Sequence, residues 1–368
     1  MLLKGIRILD FTTLLPGPMC SLFLADLGAE VIKIEALEGD MMRFHDNDSG
    51  KSPLFEAINR NKKSVCIDLK SKEGKKIAAE LAKKSDVIIE SMRPGKMEDL
   101  GLGYKEISKI NKRIVYCSLS AYGQKEARKD KAGHDVNFLA LSGSFELLKS
   151  KEIPGLQFAD TSSSLVAAVS ILAALNKRNS AKKGEFIDVA ILDSMLAMIS
   201  IHIALHSASN KMSDLLLGKV PCYNVYRTKD SKLISIAAVE EKFWENFCNA
   251  FNAKGLLKEK LNKGFVEKVA NLISSKTFDD IKKLNDANEF CMEPLLNFDE
   301  VLNDKALDSR KILLKNDVVS VAFPAKFGSV ELKYNKSPKL GENTDEILSG
   351  LKYSKSGIMG LKRNKVVR

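Results

Sequence analysis

Gly5-Ile6-Arg7-Ile8-Leu9-Asp10-Phe11, then Leu15-Pro16-Gly17-Pro18, then Val31-Ile32-Lys33-Ile34-Glu35 behind Gly28, is the stretch that decides the fold class. Two apolar runs of strand length flank a segment from about Pro18 to Leu27 that reads as a helix stopped by Gly28, so the chain opens with a β-α-β unit. The link into the helix holds two prolines and one glycine. It is not the G-x-G-x-x-G loop of a dinucleotide site, and the likeness to a Rossmann unit is one of topology only. After a polar, irregular stretch from Met41 to Asn61 the pattern recurs. Val65-Cys66-Ile67-Asp68-Leu69, a helix from Lys72 to Lys84 and Asp86-Val87-Ile88-Ile89-Glu90 are followed by a helix near Tyr104 to Asn111 and the run Ile114 to Ser120. Such alternation implies an α/β chain with a mostly parallel sheet flanked by helices. Ser91-Met92-Arg93-Pro94-Gly95 leaves a strand at its C-terminal end, where open sheets of this kind bind ligands.

The chemistry is sought further along. Gly133-His134-Asp135-Val136-Asn137-Phe138-Leu139-Ala140-Leu141-Ser142-Gly143 reads as a short helix with an imidazole and a carboxylate at its N-terminal end. A helix N-terminus disfavours imidazolium, which makes His134 a candidate base. Asp160, in Leu156-Gln157-Phe158-Ala159-Asp160, is the last charge before Thr161-Ser162-Ser163-Ser164 and the almost uncharged helical run Leu165 to Leu175. Burial raises a carboxylate's pKa and a helix N-terminus lowers it, so either protonation state is accessible, as acid–base work requires. The plainer alternatives stand beside these: Asp160 before Thr-Ser-Ser has the form of an ordinary N-cap, and His134 that of a satisfied core histidine.

Composition narrows the classes. With 368 residues and 45% hydrophobic content, two subdomains and a large core are expected. No run of eighteen or more apolar residues is present, neither a signal nor a transit peptide is visible, and no membrane association is expected. Six cysteines lie scattered without close spacing, which fits reduced thiols in a cytoplasm and no metal cluster. The net charge of +11 comes from lysines spread along the chain among nearly as many acids, which favours a general preference for anions over nucleic-acid binding.

After Gly184, Phe186-Ile187-Asp188-Val189-Ala190 runs into a long apolar helical stretch from Leu192 to about His206. His202 and His206 share one helical face, but no third ligand accompanies them, and they read as packing residues. From Tyr223 onwards come strands at Asn224 to Tyr226 and Leu233 to Ala238, then helices around Phe243 to Phe251 and Phe265 to Ser274, which suggest a second, smaller α/β domain.

These motifs together resemble the family III CoA-transferase superfamily and, within it, the alpha-methylacyl-CoA racemases. The resemblance runs nearly end to end. It is carried by Gly5 to Asp10, Pro16-Gly17-Pro18, Ala25 to Glu35, Asn61-Lys62-Lys63-Ser64, Arg93-Pro94-Gly95, Leu100-Gly101-Leu102-Gly103, Ala132 to Asn137, Phe158-Ala159-Asp160, Gly184 to Ala190 and Leu340 to Glu346. Only the Gly-His-Asp part speaks for a racemase. The resemblance implies a Rossmann-like large domain with an inserted smaller α/β domain, and two chains threaded into an interlocked homodimer. The expected parts are residues 1–190, a linking helix and connector over 191–220, the small domain over 221–325, and a return to the large domain over 326–368.

It further implies exchange of the α-proton of a 2-methylacyl-CoA thioester, with His134 and Asp160 as the two bases and Glu240, from the partner chain, orienting the histidine. Coenzyme A enters as part of the substrate, and no metal or redox cofactor is implied. On the family's pattern the backbone of Ile67, Asp68, Leu69 and Lys70 with the turn Ser91-Met92-Arg93 lines the nucleotide portion. Gly133, Asp135, Val136 and Asn137 then line the thioester end, and the amides of Asp160 and its neighbours are expected to meet the enolate oxygen. Arg93 reads as a phosphate contact, with plain surface solvation as its alternative. Some positions depart from the family. Ala36 and Asp99 stand where basic residues are expected, with Lys33, Lys62 or Lys96 as substitutes. Thr161 to Ser164 replace small glycines and are expected to add hydroxyls to the acyl pocket, and Gly218-Lys219-Val220 replaces a Gly-Gly. The enzymatic alternative is a CoA-transferase in which Asp160 attacks the thioester; a non-catalytic acyl-CoA-binding protein is the other.

Overall fold

The computed structural model describes residues 1–44, 52–125 and 127–368. The chain divides into two compact units: Met1–Phe145, Glu152–Met198 and Arg310–Arg368 form the first, Glu146–Lys151 and Ile199–Ser309 the second. In the first, β1 (Arg7–Phe11), α1 (Pro16–Asp26) and β2 (Glu30–Glu35) are the expected opening unit. The segment expected to be irregular holds a 3-10 turn at Met41–Arg43 and α2 (Pro53–Asn59), while residues 45–51 lie outside the described residues. Then follow β3 (Lys62–Cys66), α3 (Lys72–Lys83), β4 (Val87–Glu90), α4 (Lys96–Asp99), α5 (Tyr104–Ile110), β5 (Val115–Ser120), α6 (Asp135–Ser142), α7 (Phe158–Ala181), β6 (Glu185–Ala190) and α8 (Ile191–Met198).

The six strands form one parallel sheet in the order β3-β2-β1-β4-β5-β6. That order reverses direction between β1 and β4, and a doubly wound sheet opens a crevice at the carboxyl ends of such a pair. One face is covered by α3 and α5, where Ile77, Leu81 and Ile107 pack on Leu9, Ile32, Val65 and Ile88. The other is covered by α1 and α7, which touch each other and the strands. The first helix can lie this close because Gly17 has no side chain: a Cβ there would stand 2.2 Å from Cβ of Thr12.

Charges, not only apolar residues, fill the interior around β1, β2 and β3. Lys62 Nζ lies 3.3 Å from Asp10, Lys33 Nζ 2.8 Å from Asp40, and Arg43 2.7 Å from Glu35, all buried. The register explains why the third strand begins at Lys62 and ends at Cys66, ahead of the expected Val65 to Leu69: a paired lysine is a legitimate inward residue. Ile67 leaves the sheet to bridge Val367, and the Asp68 amide donates to the carbonyl of Val366 at 2.8 Å.

The second unit starts with α9 (Ser200–Ser209), separated from α8 at Ile199 where one continuous helix was expected. It continues with β7 (Tyr223–Arg227), β8 (Leu233–Ala237), α10 (Glu241–Ala250), α11 (Val266–Ser274), α12 (Phe278–Asn288), β9 (Met292–Pro294), α13 (Phe298–Leu302) and α14 (Lys305–Ser309). β7, β8 and β9 are antiparallel, and Ile234, Ile236, Trp244, Phe247, Val269, Ile273 and Phe290 form a core of their own. Trp244 stacks on Phe247 and donates its indole N–H to Leu256 O at 2.9 Å. α9 buries none of its residues, so His202 and His206 do not pack into a core within one chain as expected. The chain then returns to the first unit through the hairpin β10 (Leu313–Lys315) and β11 (Val319–Val321), α15 (Thr344–Gly350) and α16 (Lys355–Arg363).

The chain is thus an α/β protein built on a parallel six-stranded sheet. α7, at 24 residues, is long and apolar enough to cross a bilayer, although the sequence showed no unbroken apolar run of that length; half of it is buried, against α1, α8, β5 and β6.

Candidate active site

At the carboxyl ends of β1, β4 and β5, where the strand order reverses, lies a cleft of 320 Å³. Thr13, Leu14 and Pro16 follow β1, Ser91 to Pro94 follow β4, and Leu119 to Ala121 close β5. His134 and Asp160 both open into it. Two residues 26 positions apart in the sequence therefore share one space. Gly133 makes the approach to His134 possible. A Cβ at that position would lie 2.9 Å from both the Phe138 ring and the Tyr122 hydroxyl, which pack edge to face beneath it at 5.5 Å.

His134 is the residue before α6, in extended conformation; its amide donates to Asn137 Oδ1 at 3.0 Å, and its carbonyl accepts from the Asn137 amide at 2.8 Å. The ring stays solvent-accessible at the cleft, so it is not a satisfied core histidine. Asp160 differs from its expected place. α7 begins at Phe158, which puts Asp160 inside the first turn as its third residue instead of in front of it. Its carboxylate caps nothing: among the described residues no hydrogen bond reaches it, whereas its amide donates to Asp135 Oδ1 at 3.1 Å. Burial, with the Asp135 carboxylate adding to it and His134 opposing, pushes the Asp160 carboxyl up to about 6.

That bond to Asp135 also removes the Asp160 amide from the role expected for it. The Ala159 amide is taken in the same way, at 2.8 Å. Free donors exist instead at the start of α6, where the amides of Asp135 and Val136 have no acceptor among the described residues. The hydroxyls after Asp160 do not reach the cleft either. Thr161, Ser162 and Ser163 donate to the carbonyls of Gln157, Ala159 and Asp160 at 2.6–2.9 Å, and Ser164 donates to Pro16 and Asp160. Helix interiors accept Ser and Thr in this back-bonded form.

The expected coenzyme contacts separate into two groups. Ser91, Met92, Arg93 and Gly133 line the cleft with the two candidate bases. Ile67, Asp68, Leu69 and Lys70 do not, and the amides of Ile67, Asp68 and Lys70 are already given to Glu35 O, Val366 O and Asp68 Oδ1. Asp135, Val136 and Asn137 are on α6 behind the lining. Glu240 belongs to the second unit, where it precedes α10. Lys33 and Lys62 are fully buried in ion pairs and cannot serve as substitute phosphate contacts. The cations that do line the cleft are Arg93, Lys129 and Lys131, and the two lysines were missed because a Lys-Asp-Lys run reads as solvated surface. Glu90 was missed as well. Buried at the end of β4, it accepts from the Met92 amide at 2.8 Å and from the Ser118 hydroxyl, so it pins the turn that forms the cleft floor. Burial pushes its carboxyl up to about 7.

A partly desolvated carboxylate facing an accessible imidazole can pass a proton to and from a carbon acid held between them, and a bare carboxylate can equally act as a nucleophile. Comparison with known proteins points to thioester chemistry. A family model described as CoA-transferase family III matches residues 3–344. The chain is 28% identical to the (R)-2-hydroxy-4-methylpentanoate CoA-transferase of Clostridioides difficile over the whole of both. It is also 28% identical to the alpha-methylacyl-CoA racemase of Homo sapiens, over 100% of this chain and 98% of that one. The succinyl-CoA:glutarate CoA-transferase of Mus musculus is 36% identical over 66% of this chain and 58% of its own length. A CAIB/BAIF family protein from Brucella suis superposes with a TM-score of 0.84 at 25% identity, covering 95% of this chain and 99% of that one. The chain belongs to the family III CoA-transferases.

Proposed function

We propose that the protein is a racemase or epimerase that exchanges the α-proton of a 2-methylacyl-CoA thioester by a two-base mechanism. The observation that carries this is the shared cleft of His134 and Asp160, with no hydrogen bond to the Asp160 carboxylate among the described residues. One base takes the proton from the α-carbon, the C–H electron pair moves into the enolate and onto the thioester oxygen, and the other base returns a proton from the opposite face. His134 neutral with Asp160 protonated, and His134 protonated with Asp160 ionised, carry the same number of protons. Each is the starting state for one direction. A carboxyl poised near 6 keeps both within reach of neutral pH. The amides of Asp135 and Val136, which have no acceptor among the described residues at the helix end next to His134, are the donors assigned to the enolate oxygen, although neither residue lines the cleft as it stands. Such donors contribute the larger share of catalysis in reactions of this kind. Arg93, Lys129 and Lys131 supply positive charge for the phosphates of coenzyme A.

The second candidate activity, transfer of CoA between carboxylic acids through an acyl anhydride on Asp160, is favoured by the same unencumbered carboxylate and by equally similar relatives. Incubating a 2-methylacyl-CoA in deuterated buffer separates the two. Racemisation is expected to wash deuterium into the α-carbon with no acceptor acid present. Labelled CoA appearing on an added carboxylate, without α-exchange, identifies a transferase instead.

Two chains are needed in this scheme. α9 leaves Ile201 and Ile203 exposed, and we propose that a homodimer covers them and brings Glu240 of one chain to His134 of the other. Sedimentation velocity is expected to give a dimer. Co-expressed His134→Ala and Glu240→Ala chains are expected to regain exchange that neither homodimer shows, and no gain over the two homodimers refutes the shared site.

A further inference from the structure

Asp135 is the first residue of α6, yet its carboxylate reaches across to a different helix. Its Oδ1 accepts from the amides of Ala159 at 2.8 Å and Asp160 at 3.1 Å. These are the second and third residues of α7, whose flanking residue Gln157 offers no side-chain cap. A helix start leaves its first amides without partners inside the helix, and here a residue from the neighbouring element satisfies two of them at once. The bonds hold one Asp135 oxygen against the peptide that carries Asp160, so two carboxylates stand side by side in a partly desolvated place.

We infer that Asp135 is a positioning residue that serves Asp160 twice, by fixing the turn that carries it and by keeping a like charge beside it. The other charges around Asp160 are few. The residue before α6 contributes His134, the turn after β4 Arg93, and the loop further upstream Lys129 and Lys131. Of the groups on the helices packed against α7, Asp26 of α1 is bonded to Arg60, Cys20 of α1 is buried as a thiol, and Asp193 of α8 is exposed. On the strands beneath, Asp188 of β6 accepts from the Gln124 amide, Glu185 of β6 is paired with Lys177, and Cys117 of β5 is buried. Beside burial, the Asp135 carboxylate is the group that raises the proton affinity of Asp160, and His134 opposes it. The inference rests on the proposed acid–base role of Asp160 for its kinetic readout alone.

Asparagine at this position separates the two services, because its amide oxygen still accepts both N–H groups while the charge is gone. Asp135→Asn is expected to keep the thermal midpoint and to lower the titration midpoint of the Asp160 carboxyl by about one pH unit. The midpoint is read by carbon-13 NMR of labelled aspartate, with Asp160→Asn identifying the signal. The acid limb of the α-exchange profile moves down with it, KM for the acyl-CoA changes little, and Asp135→Ala, which loses the bonds as well, lowers kcat further. An unmoved Asp160 midpoint in Asp135→Asn overturns the inference and leaves Asp135 a helix cap. A raised KM with no change in the pH profile likewise overturns it and makes Asp135 a substrate contact. If the wild-type protein shows no α-exchange, the proposed activity fails, but the NMR midpoint still decides the role of Asp135.

Discussion

Asp10→Asn is expected to lose about 3–5 kcal/mol of folding stability, the cost of removing one partner of a buried ion pair. Asp10 has no exposed surface, and its carboxylate collects four donors. The Thr12 amide reaches Oδ1 at 2.9 Å together with the Thr12 hydroxyl, while Ser21 Oγ at 2.5 Å and Lys62 Nζ at 3.3 Å reach Oδ2. Burial alone would raise its pKa, but Lys62 and Lys33 and the two hydroxyls hold it at about 2. Lys62 also donates to Pro18 O and Asn59 Oδ1, both at 2.8 Å, and Lys33 to Thr12 O at 2.8 Å. Removal of the Asp10 charge leaves the two lysines with one fewer counter-charge inside a closed cluster, and the typical stability of a domain is only about 5–15 kcal/mol.

The expected result is a fall in the urea midpoint with an unchanged slope. Its pH dependence has a definite sign. Burial already pulls Lys62 down to about 8 despite Asp10. Without Asp10 that ammonium is released more easily, so the folded variant sheds the proton at a pH where the unfolded chain still binds it. The deficit is therefore expected to be smaller at pH 9 than at pH 6. A deficit that is independent of pH, or below about 1 kcal/mol at pH 6, removes the ion pair from the account. Because Lys33 holds the carbonyl of Thr12, and Thr13, Leu14 and Pro16 line the cleft, the surviving folded fraction is also expected to bind acyl-CoA less well.

This cluster shows where the sequence was legible and where it was not. The alternation of apolar runs and helices from Ile6 to Ser120 gave the parallel sheet, because burial on two faces leaves a periodicity that needs no partner to read. Lys33 and Lys62 were open to misreading for the same reason: a lysine in a strand is ordinarily a solvated residue, and only the fold shows that Asp10 and Asp40 neutralise the two. The third strand was consequently placed three residues late. In the cleft, Gly-His-Asp and the lone Asp160 were visible as residue types, and their helix-terminal setting followed from the flanking apolar runs. What could not be read was which atoms of Asp160 were already in use, since the Asp135 side chain that takes its amide lies 25 residues away. The hydroxyls of Ser162, Ser163 and Ser164 were misjudged because a helix turns them back onto its own carbonyls, a bond that exists only once the helix start is known.

Asp160→Asn is expected to abolish α-exchange, with a loss of at least about 10²-fold, and at the same time to make the protein more stable at neutral pH. The second half distinguishes a functional carboxylate from a structural one. In the folded chain the carboxyl sits at about 6, against an ordinary 3.8, so between those values the folded state holds a proton that the unfolded state has lost. A group with a raised carboxyl pKa gives its stability at low pH, and that stability falls as pH rises through the same window. At pH 7 the ionised Asp160 thus burdens the fold by up to about 3 kcal/mol, at about 1.4 kcal/mol for each unit. Asparagine has the same shape and no charge to desolvate. Its gain is expected to be full above pH 6 and to vanish below pH 4, and thermal melts across that range read it directly. Had Asp160 been the N-cap that Thr-Ser-Ser suggests, asparagine would be neutral at every pH and alanine would cost about 1 kcal/mol. Its place in the first turn of α7, with no donor on its carboxylate among the described residues, predicts the opposite order, alanine and asparagine both more stable than aspartate at pH 7. A less stable Asp160→Asn protein, or a gain that does not depend on pH, would show that the carboxylate is neither desolvated nor held ready for proton transfer.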